Sequence, residues 1–268
     1  MNATRSMENP GTTAGLDSPS VFPMPAVAAI AGNFCRSLLD AVLPRGCAGC
    51  ERPDAVLCPE CRKLLSRPCR CELRGSSTGF SYACGAYSDA LRQAILAWKD
   101  HGDEECTGPF AQALAGLALL IGVRQAAGGG AVLIVPVPSS PRSVFQRGRW
   151  HMLQLVKRMS RLLRGYDIDS SAAPVLTMRG VKGKSVEMRG LSQRAGRVGG
   201  HMALRRGSDI AGALVILVDD IVTTGSTMRQ CVGALRAGGA TVLTALALAQ
   251  AGDMWLPTRL LDSPEAFI

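Results

Sequence analysis

This chain predicts an α/β fold built on a mostly parallel sheet, and three observations carry that expectation. Short apolar runs at residues 132–135, 213–218 and 241–248 alternate with segments whose apolar residues recur at helical spacing. The run from Val215 to Val218 is apolar at every position, as strands covered by helices on both faces are. Hydrophobic residues make up 47% of the 268 positions, ample for a buried core.

In chain order, residues 1–25 are rich in Ser, Thr, Pro and Gly without periodicity and are expected to be disordered. Residues 26–75 are expected to hold a helix near 26–43 and a small cysteine module. Residues 80–250 form the α/β domain, and 251–268 a C-terminal tail. A strand at 80–87 precedes a helix at 90–98, where Leu91, Ala94, Ile95 and Trp98 share one face. An Ala/Leu-rich helix at 108–123 ends before Gly128, Gly129 and Gly130. The strand at 132–135 runs into Pro136, Pro138 and Pro141, which stop the ladder and force an open loop. Met152, Leu155, Val156, Met159, Leu162 and Leu163 mark an amphipathic helix, and 175–178 a short strand. Residues 180–200 read as a long basic loop, of the kind that is more often functional than structural.

Net charge is +9, suited to a polyanionic ligand and equally to DNA or RNA. The apolar stretches at 21–30 and 111–123 are too short and Ala-rich to span a bilayer, and the N-terminus lacks the order of a secretory signal, so a cytoplasmic location is expected. His101, His151 and His201 have no metal partner at helical spacing and read as surface or packing residues.

Six of the ten cysteines crowd between Cys47 and Cys71. Cys47 with Cys50, and Cys58 with Cys61, make two Cys-x2-Cys knuckles, the spacing of a metal site rather than of a secreted disulfide framework. Four thiolates fill the tetrahedral shell of structural Zn²⁺ and leave no open position for catalysis. Cys69 and Cys71 are spaced one residue short of a third knuckle, and with Cys84 they stay off the ligand set.

The most informative stretch runs from Val215 to Thr227. An apolar strand ends in Asp219 and Asp220, and Thr223, Thr224, Gly225, Ser226 and Thr227 follow where a helix begins. Hydroxyls, a flexible Gly and closely spaced backbone N–H groups form an anion cradle there. Met228, Cys231, Val232 and Leu235 carry the helix on, and Gly238 and Gly239 close it. A Walker-B strand of a nucleoside triphosphatase would need a P-loop, and before Gly183, Lys184 and Ser185 the required first Gly is Met178.

These thirteen positions resemble the signature of type I phosphoribosyltransferases. The resemblance implies that Asp219 and Asp220 hold ribose hydroxyls, and that Thr223 through Thr227 hold the 5′-phosphate of phosphoribosyl pyrophosphate, with Mg²⁺ neutralising the pyrophosphate.

With the N-terminal knuckles, the chain further resembles the competence protein ComF family over roughly Cys47 to Leu248. The likeness includes Tyr87 to Arg92, Trp98 to Gly102, Val135 to Pro138, Pro141 with Arg142, Arg147 with Gly148, and Gly190 to Ser192 with Arg194 and Arg197. Where the family continues Arg-Gly with Phe-Asn-Gln, this chain has Arg149, Trp150 and His151. Arg142 and Arg147 are candidates for the pyrophosphate loop, and Arg194 and Arg197, with Lys182, Lys184 and Arg189, for a flap over the site.

Two functions follow as expectations. One is a phosphoribosyltransferase that transfers phosphoribosyl to an unidentified acceptor and is linked to DNA uptake. The alternative is a catalytically inactive adaptor for single-stranded DNA or DNA-processing proteins, for which three Trp, three Tyr and six Phe offer few stacking platforms.

Overall fold

The computed structural model describes residues 46–179 and 201–252. These lie within one compact unit that begins at Arg45. The expected tail at 1–25, the helix at 26–43, the basic loop at 180–200 with Arg194 and Arg197, and residues 253–268 lie outside the described residues.

The described chain opens with the two knuckles and a short helix, α1 (Pro59–Lys63), then a 3₁₀ turn (Leu64–Ser66). Strands β1 (Cys69–Glu72) and β2 (Phe80–Ala86) form a hairpin, followed by helices α2 (Asp89–Asp100), α3 (Thr107–Leu120) and α4 (Val123–Ala127). Next come β3 (Val132–Pro136), α5 (Pro141–Arg147), α6 (His151–Arg164) and the short strands β4 (Ser170–Ala172), β5 (Leu176–Arg179) and β6 (His201–Leu204). Strand β7 (Leu214–Val222), helix α7 (Ser226–Ala237) and strand β8 (Thr241–Gln250) complete it.

Six strands form one sheet in the order β1-β2-β8-β7-β3-β4. All neighbours are parallel except the β1–β2 hairpin, so the alternating pattern in the sequence does become a mostly parallel sheet flanked by helices. β5 and β6 make a separate antiparallel ribbon. Alternation along β7 divides the core. Ile216 and Val218 face Trp98, Phe110, Leu114, Met152, Leu155 and Met159 of α2, α3 and α6. Val215 and Leu217 face Met228, Cys231, Val232 and Leu235 of α7.

Three departures from the sequence expectation have physical reasons. β7 continues past Val218 through both aspartates to Val222, because β8 reaches Gln250 and pairs Asp219 with Ala247, Ile221 with Ala249 and Val222 with Gln250. A polar side chain does not end a strand whose ladder partner persists. The Pro-rich segment is not wholly open: Ser140 accepts at 3.1 Å from the Ser143 N–H, Pro141 occupies the first turn, and α5 forms. Finally, β1 makes Cys69 and Cys71 sheet residues, and the expected gap between cysteine module and α/β domain falls inside the β1–β2 hairpin.

The knuckles share the larger core. Cys47, Leu57, Cys58 and Cys61 cluster with Leu91, Ala94 and Trp98. A Cβ on Gly49 would meet the Ala90 carbonyl at 2.7 Å and the Cys61 sulfur at 2.9 Å, so only Gly allows the first knuckle this approach to α2.

Candidate functional site

The four knuckle cysteines converge. Their sulfurs all lie within 4.8 Å of one another, with Cys50 and Cys58 3.5 Å apart. Zn–S bonds of ~2.3 Å in a tetrahedron put sulfurs roughly 3.8 Å apart, so the group fits one Zn²⁺. Backbone N–H groups support the thiolates: the Cys58 N–H donates to the Cys47 sulfur at 3.2 Å. Burial alone would raise the Cys47 thiol, yet backbone hydrogen bonds from Cys58, Gly49 and Cys50 outweigh it and bring it down to about 6. Cys61 moves the other way, pushed up by burial and by its sulfur neighbours, as expected when several thiols share one space. Cys69, Cys71 and Cys84 join no such group among the described residues. Burial raises all three thiols, Cys69 to about 11, in keeping with a packing role.

The second convergence is at the carboxyl edge of β7, where open α/β sheets bind ligands. Asp219 and Asp220 stand next to each other in an extended strand, so their carboxylates project to opposite faces. Asp219 is on the α7 face and half-buried. Its Oδ1 accepts from the Asp220 N–H at 2.8 Å. Asp220 points to the α2–α6 face and is buried. Its Oδ1 accepts from the Ile221 N–H at 2.8 Å, while Oδ2 lies 2.5 Å from the Lys99 ammonium and 3.5 Å from His151 Nε2. At 3.5 Å the imidazole makes no proper hydrogen bond, and neither ring nitrogen has a hydrogen-bond partner among the described residues.

The acids therefore differ electrostatically. Burial alone would raise Asp220, but the His151 contact and the Lys99 charge overcome it and hold the carboxyl well below the usual range. Asp219 is pushed well up, by burial first and then by the Asp220 charge. His151 is 1% exposed and sits edge-on to Trp98, with ring centroids 4.8 Å apart. Burial pulls its pKa below the ordinary imidazole value, so the neutral ring is favoured.

Lys99 and His151 are the residues that sequence reasoning missed. Lys99 carries no signal of its own in the sequence, and the burial of His151 fits a packing residue, but the approach of either to Asp220 is not legible there. Both are at helix ends: Lys99 is the penultimate residue of α2 and His151 the first of α6. Only the parallel sheet brings them to Asp220.

Thr223, Thr224, Gly225, Ser226 and Thr227 form the turn into α7 as expected, with all four hydroxyls exposed. Gly225 caps the helix at φ 68°, a left-handed conformation that costs Gly nothing. Thr224 Oγ1 donates to Ser226 Oγ at 3.2 Å, and Arg229 donates to the Thr224 carbonyl at 3.0 Å, which tightens the turn and adds positive charge. Thr223, Thr224, Gly225 and Arg229 line a cavity of about 500 Å³ whose far wall includes Cys71, Glu72, Ser81 and Gln250.

Of the pyrophosphate-loop candidates, Arg142 is exposed in the first turn of α5, and Arg147 pairs with Asp100 at 2.9 Å. A second cavity, about 390 Å³, lies between the Pro138–Phe145 segment and the β5–β6 ribbon. No helix of the described residues is long and apolar enough to cross a membrane.

Residues 156–262 match the model of the phosphoribosyl transferase domain family. An orotate phosphoribosyltransferase of Acidithiobacillus ferrooxidans is 47% identical over 53 residues, which are 19% of this chain and 27% of that protein. One of Bartonella tribocorum is 53% identical over 47 residues, 18% of this chain and 24% of that protein. The chain thus spans about a quarter of the length of these curated relatives. A solved adenine phosphoribosyltransferase shares 14% identity over 72% of this chain and 89% of that one, with a TM-score of 0.32. The acidic pair, the hydroxyl-lined turn and α7 all fall inside the stretch that matches the phosphoribosyl transferase domain.

Proposed function

We propose that this protein binds phosphoribosyl pyrophosphate with Mg²⁺ and transfers its phosphoribosyl group to an acceptor. The observation that carries the reading is the continuity of β7, the acidic pair and an exposed, Gly225-capped turn at the start of a long helix, all within the matched domain. The turn at Thr223 to Thr227 receives the 5′-phosphate through backbone N–H groups and hydroxyls. Asp219 and Asp220 accept from the ribose hydroxyls. Arg142 and Arg147 face the pyrophosphate, and Arg194 and Arg197 belong to the proposed flap.

In the reaction, the bond from C1 to the pyrophosphate oxygen breaks and pyrophosphate leaves with the electron pair. A nucleophilic nitrogen or oxygen of the acceptor bonds to C1 and gives up its proton to the departing pyrophosphate or to water. Positive charge develops at the ring, so carboxylates near the ribose stabilise the transition state more than the ground state. Mg²⁺, which favours phosphate oxygens and few protein ligands, supplies neutralisation of the leaving group when bound. The four cysteines hold a structural Zn²⁺ in the same reading.

The test is isothermal titration with phosphoribosyl pyrophosphate and Mg²⁺ on wild type and on Asp219→Ala/Asp220→Ala. Binding by wild type alone is expected; equal heats from the two would refute the site. ComF-family membership, with a role in DNA uptake, goes with the proposal through the knuckles and the quoted motifs. The adaptor reading draws on the net charge of +9. Salt-dependent binding of single-stranded DNA, unchanged by the double substitution, would favour it over the transferase.

A further inference from the structure

We propose that Lys99 is a positioning residue of this phosphosugar site, clamping Asp220 in place and cancelling the negative charge that Asp220 would otherwise set against a polyanionic ligand. The inference rests on the proposed function and deepens it, since it says how a site built on two acids accepts a ligand carrying a phosphate and a pyrophosphate.

Lys99 follows Trp98, whose side chain is fully buried, so the helix register lays the lysine stem along the margin of the packed face. Its side chain is 24% exposed and its ammonium is 2.5 Å from Asp220 Oδ2. The pair stands at the carboxyl edge of the sheet. As a device for stability alone it would be a poor choice, because apolar residues of similar volume do as well in a buried position. At a ligand edge the same pair has a use: it fixes the rotamer of the inner carboxylate and cancels its charge.

The neighbouring residue strengthens the case. Asp100 accepts from Arg147 Nε at 2.9 Å, tying the end of α2 to the last residue of α5. Lys99 thus contacts the acidic pair while its neighbour Asp100 contacts the segment proposed to face the pyrophosphate. His151 approaches the same Asp220 oxygen but only to 3.5 Å, which leaves Lys99 as the close cationic partner.

Wild type, Lys99→Met and Lys99→Arg are titrated with phosphoribosyl pyrophosphate plus Mg²⁺ and, separately, with ribose 5-phosphate, after melting curves and zinc content confirm that each is folded. Lys99→Met is expected to lose at least about tenfold in affinity for the pyrophosphorylated sugar and clearly less for the monophosphate. Lys99→Arg is expected within about threefold of wild type for both, since the charge is retained. If Lys99→Met fails to fold, Lys99→Gln, which keeps a polar head in the same place without the charge, takes its place with the same expected loss. Unchanged affinity in the uncharged variant would overturn the role of Lys99, as would equal losses for both ligands or an equal loss in Lys99→Arg. Failure of wild type itself to bind phosphoribosyl pyrophosphate would overturn the underlying functional reading as well.

Discussion

The cysteine module and the acidic edge are both short constellations, yet they are assembled in opposite ways. All four thiols come from residues 47–61, and this one short segment brings the sulfurs within 4.8 Å of one another. The acidic edge takes Asp219 and Asp220 from one strand, but Asp220 finds its partners in α2 and α6, far away in sequence. The first is a local site whose chemistry is written in its own segment. The second is completed by the fold, so its electrostatics exist only once the sheet has formed.

Metal removal should test that contrast with the largest effect. If the knuckles are held by Zn²⁺, binding free energy on the order of 10 kcal/mol is folding free energy of the module. Because Cys47, Cys58 and Cys61 share a core with Leu91 and Trp98, the loss should spread into α2. A chelator is expected to lower the melting temperature steeply and to release one Zn²⁺ per chain, read by metal analysis. An unchanged melt after complete zinc removal would show that the module is held by packing alone.

Next in size is the acidic edge. Asp220→Ala leaves the Lys99 ammonium without its close partner in a largely buried position and is expected to destabilise by about 3–5 kcal/mol. Lys99→Met/Asp220→Ala should recover most of that, because both charges are then gone. Denaturant unfolding of the four proteins in a double-mutant cycle measures the coupling, and additive losses would mean that the ion pair contributes nothing of its own.

His151 gives a smaller, pH-dependent effect. Burial lowers its folded pKa below the unfolded value near 6.5, so below that value the unfolded chain binds the proton first. Stability from this residue is full above about pH 6.5 and is lost as pH falls toward the folded pKa, by up to about 1.4 kcal/mol per pH unit. Asp220 shifts in the same sense, but its loss begins only near pH 4, whereas Asp219, whose carboxyl is raised by burial, acts in the opposite sense as pH rises above about 4. Between pH 7 and 5, stability should therefore fall more steeply with acidification in wild type than in His151→Gln, the difference between the two slopes being the His151 contribution. Equal slopes would assign the pH dependence to other groups.

These differences explain what the sequence could disclose. The parallel sheet, the helix faces, the knuckles and the hydroxyl-lined turn rest on local periodicity or spacing, and all were legible. The split of Asp219 and Asp220 across the sheet was not, because it depends on β8 extending far enough to carry β7 to Val222. The Lys99–Asp220 pair was invisible for the same reason: nothing in the α2 segment says which carboxylate its last turn will meet. β1 was hidden by its own composition, since two cysteines around an arginine carry little strand signal, and only the paired sheet makes Cys69 and Cys71 alternate buried positions.

Helix α5 was missed although its signals are local, and it gives the smallest test. Ser140 followed by Pro141 is an N-cap and first-turn pair, outweighed in the sequence reading by the surrounding prolines. Ser140 Oγ accepts from the Ser143 N–H at 3.1 Å and meets Ser143 Oγ at 2.8 Å, so Ser140→Ala should cost about 1 kcal/mol in denaturant unfolding. The cap lies at one end of α5, and Arg147, paired with Asp100 beside Lys99, at the other. Fraying from the cap should therefore loosen the segment proposed to face the pyrophosphate without touching the acids. The affinity of Ser140→Ala for phosphoribosyl pyrophosphate is expected to fall about two- to threefold, with its affinity for ribose 5-phosphate unchanged. Equal weakening of both ligands would show that α5 supports the acidic edge rather than the leaving group.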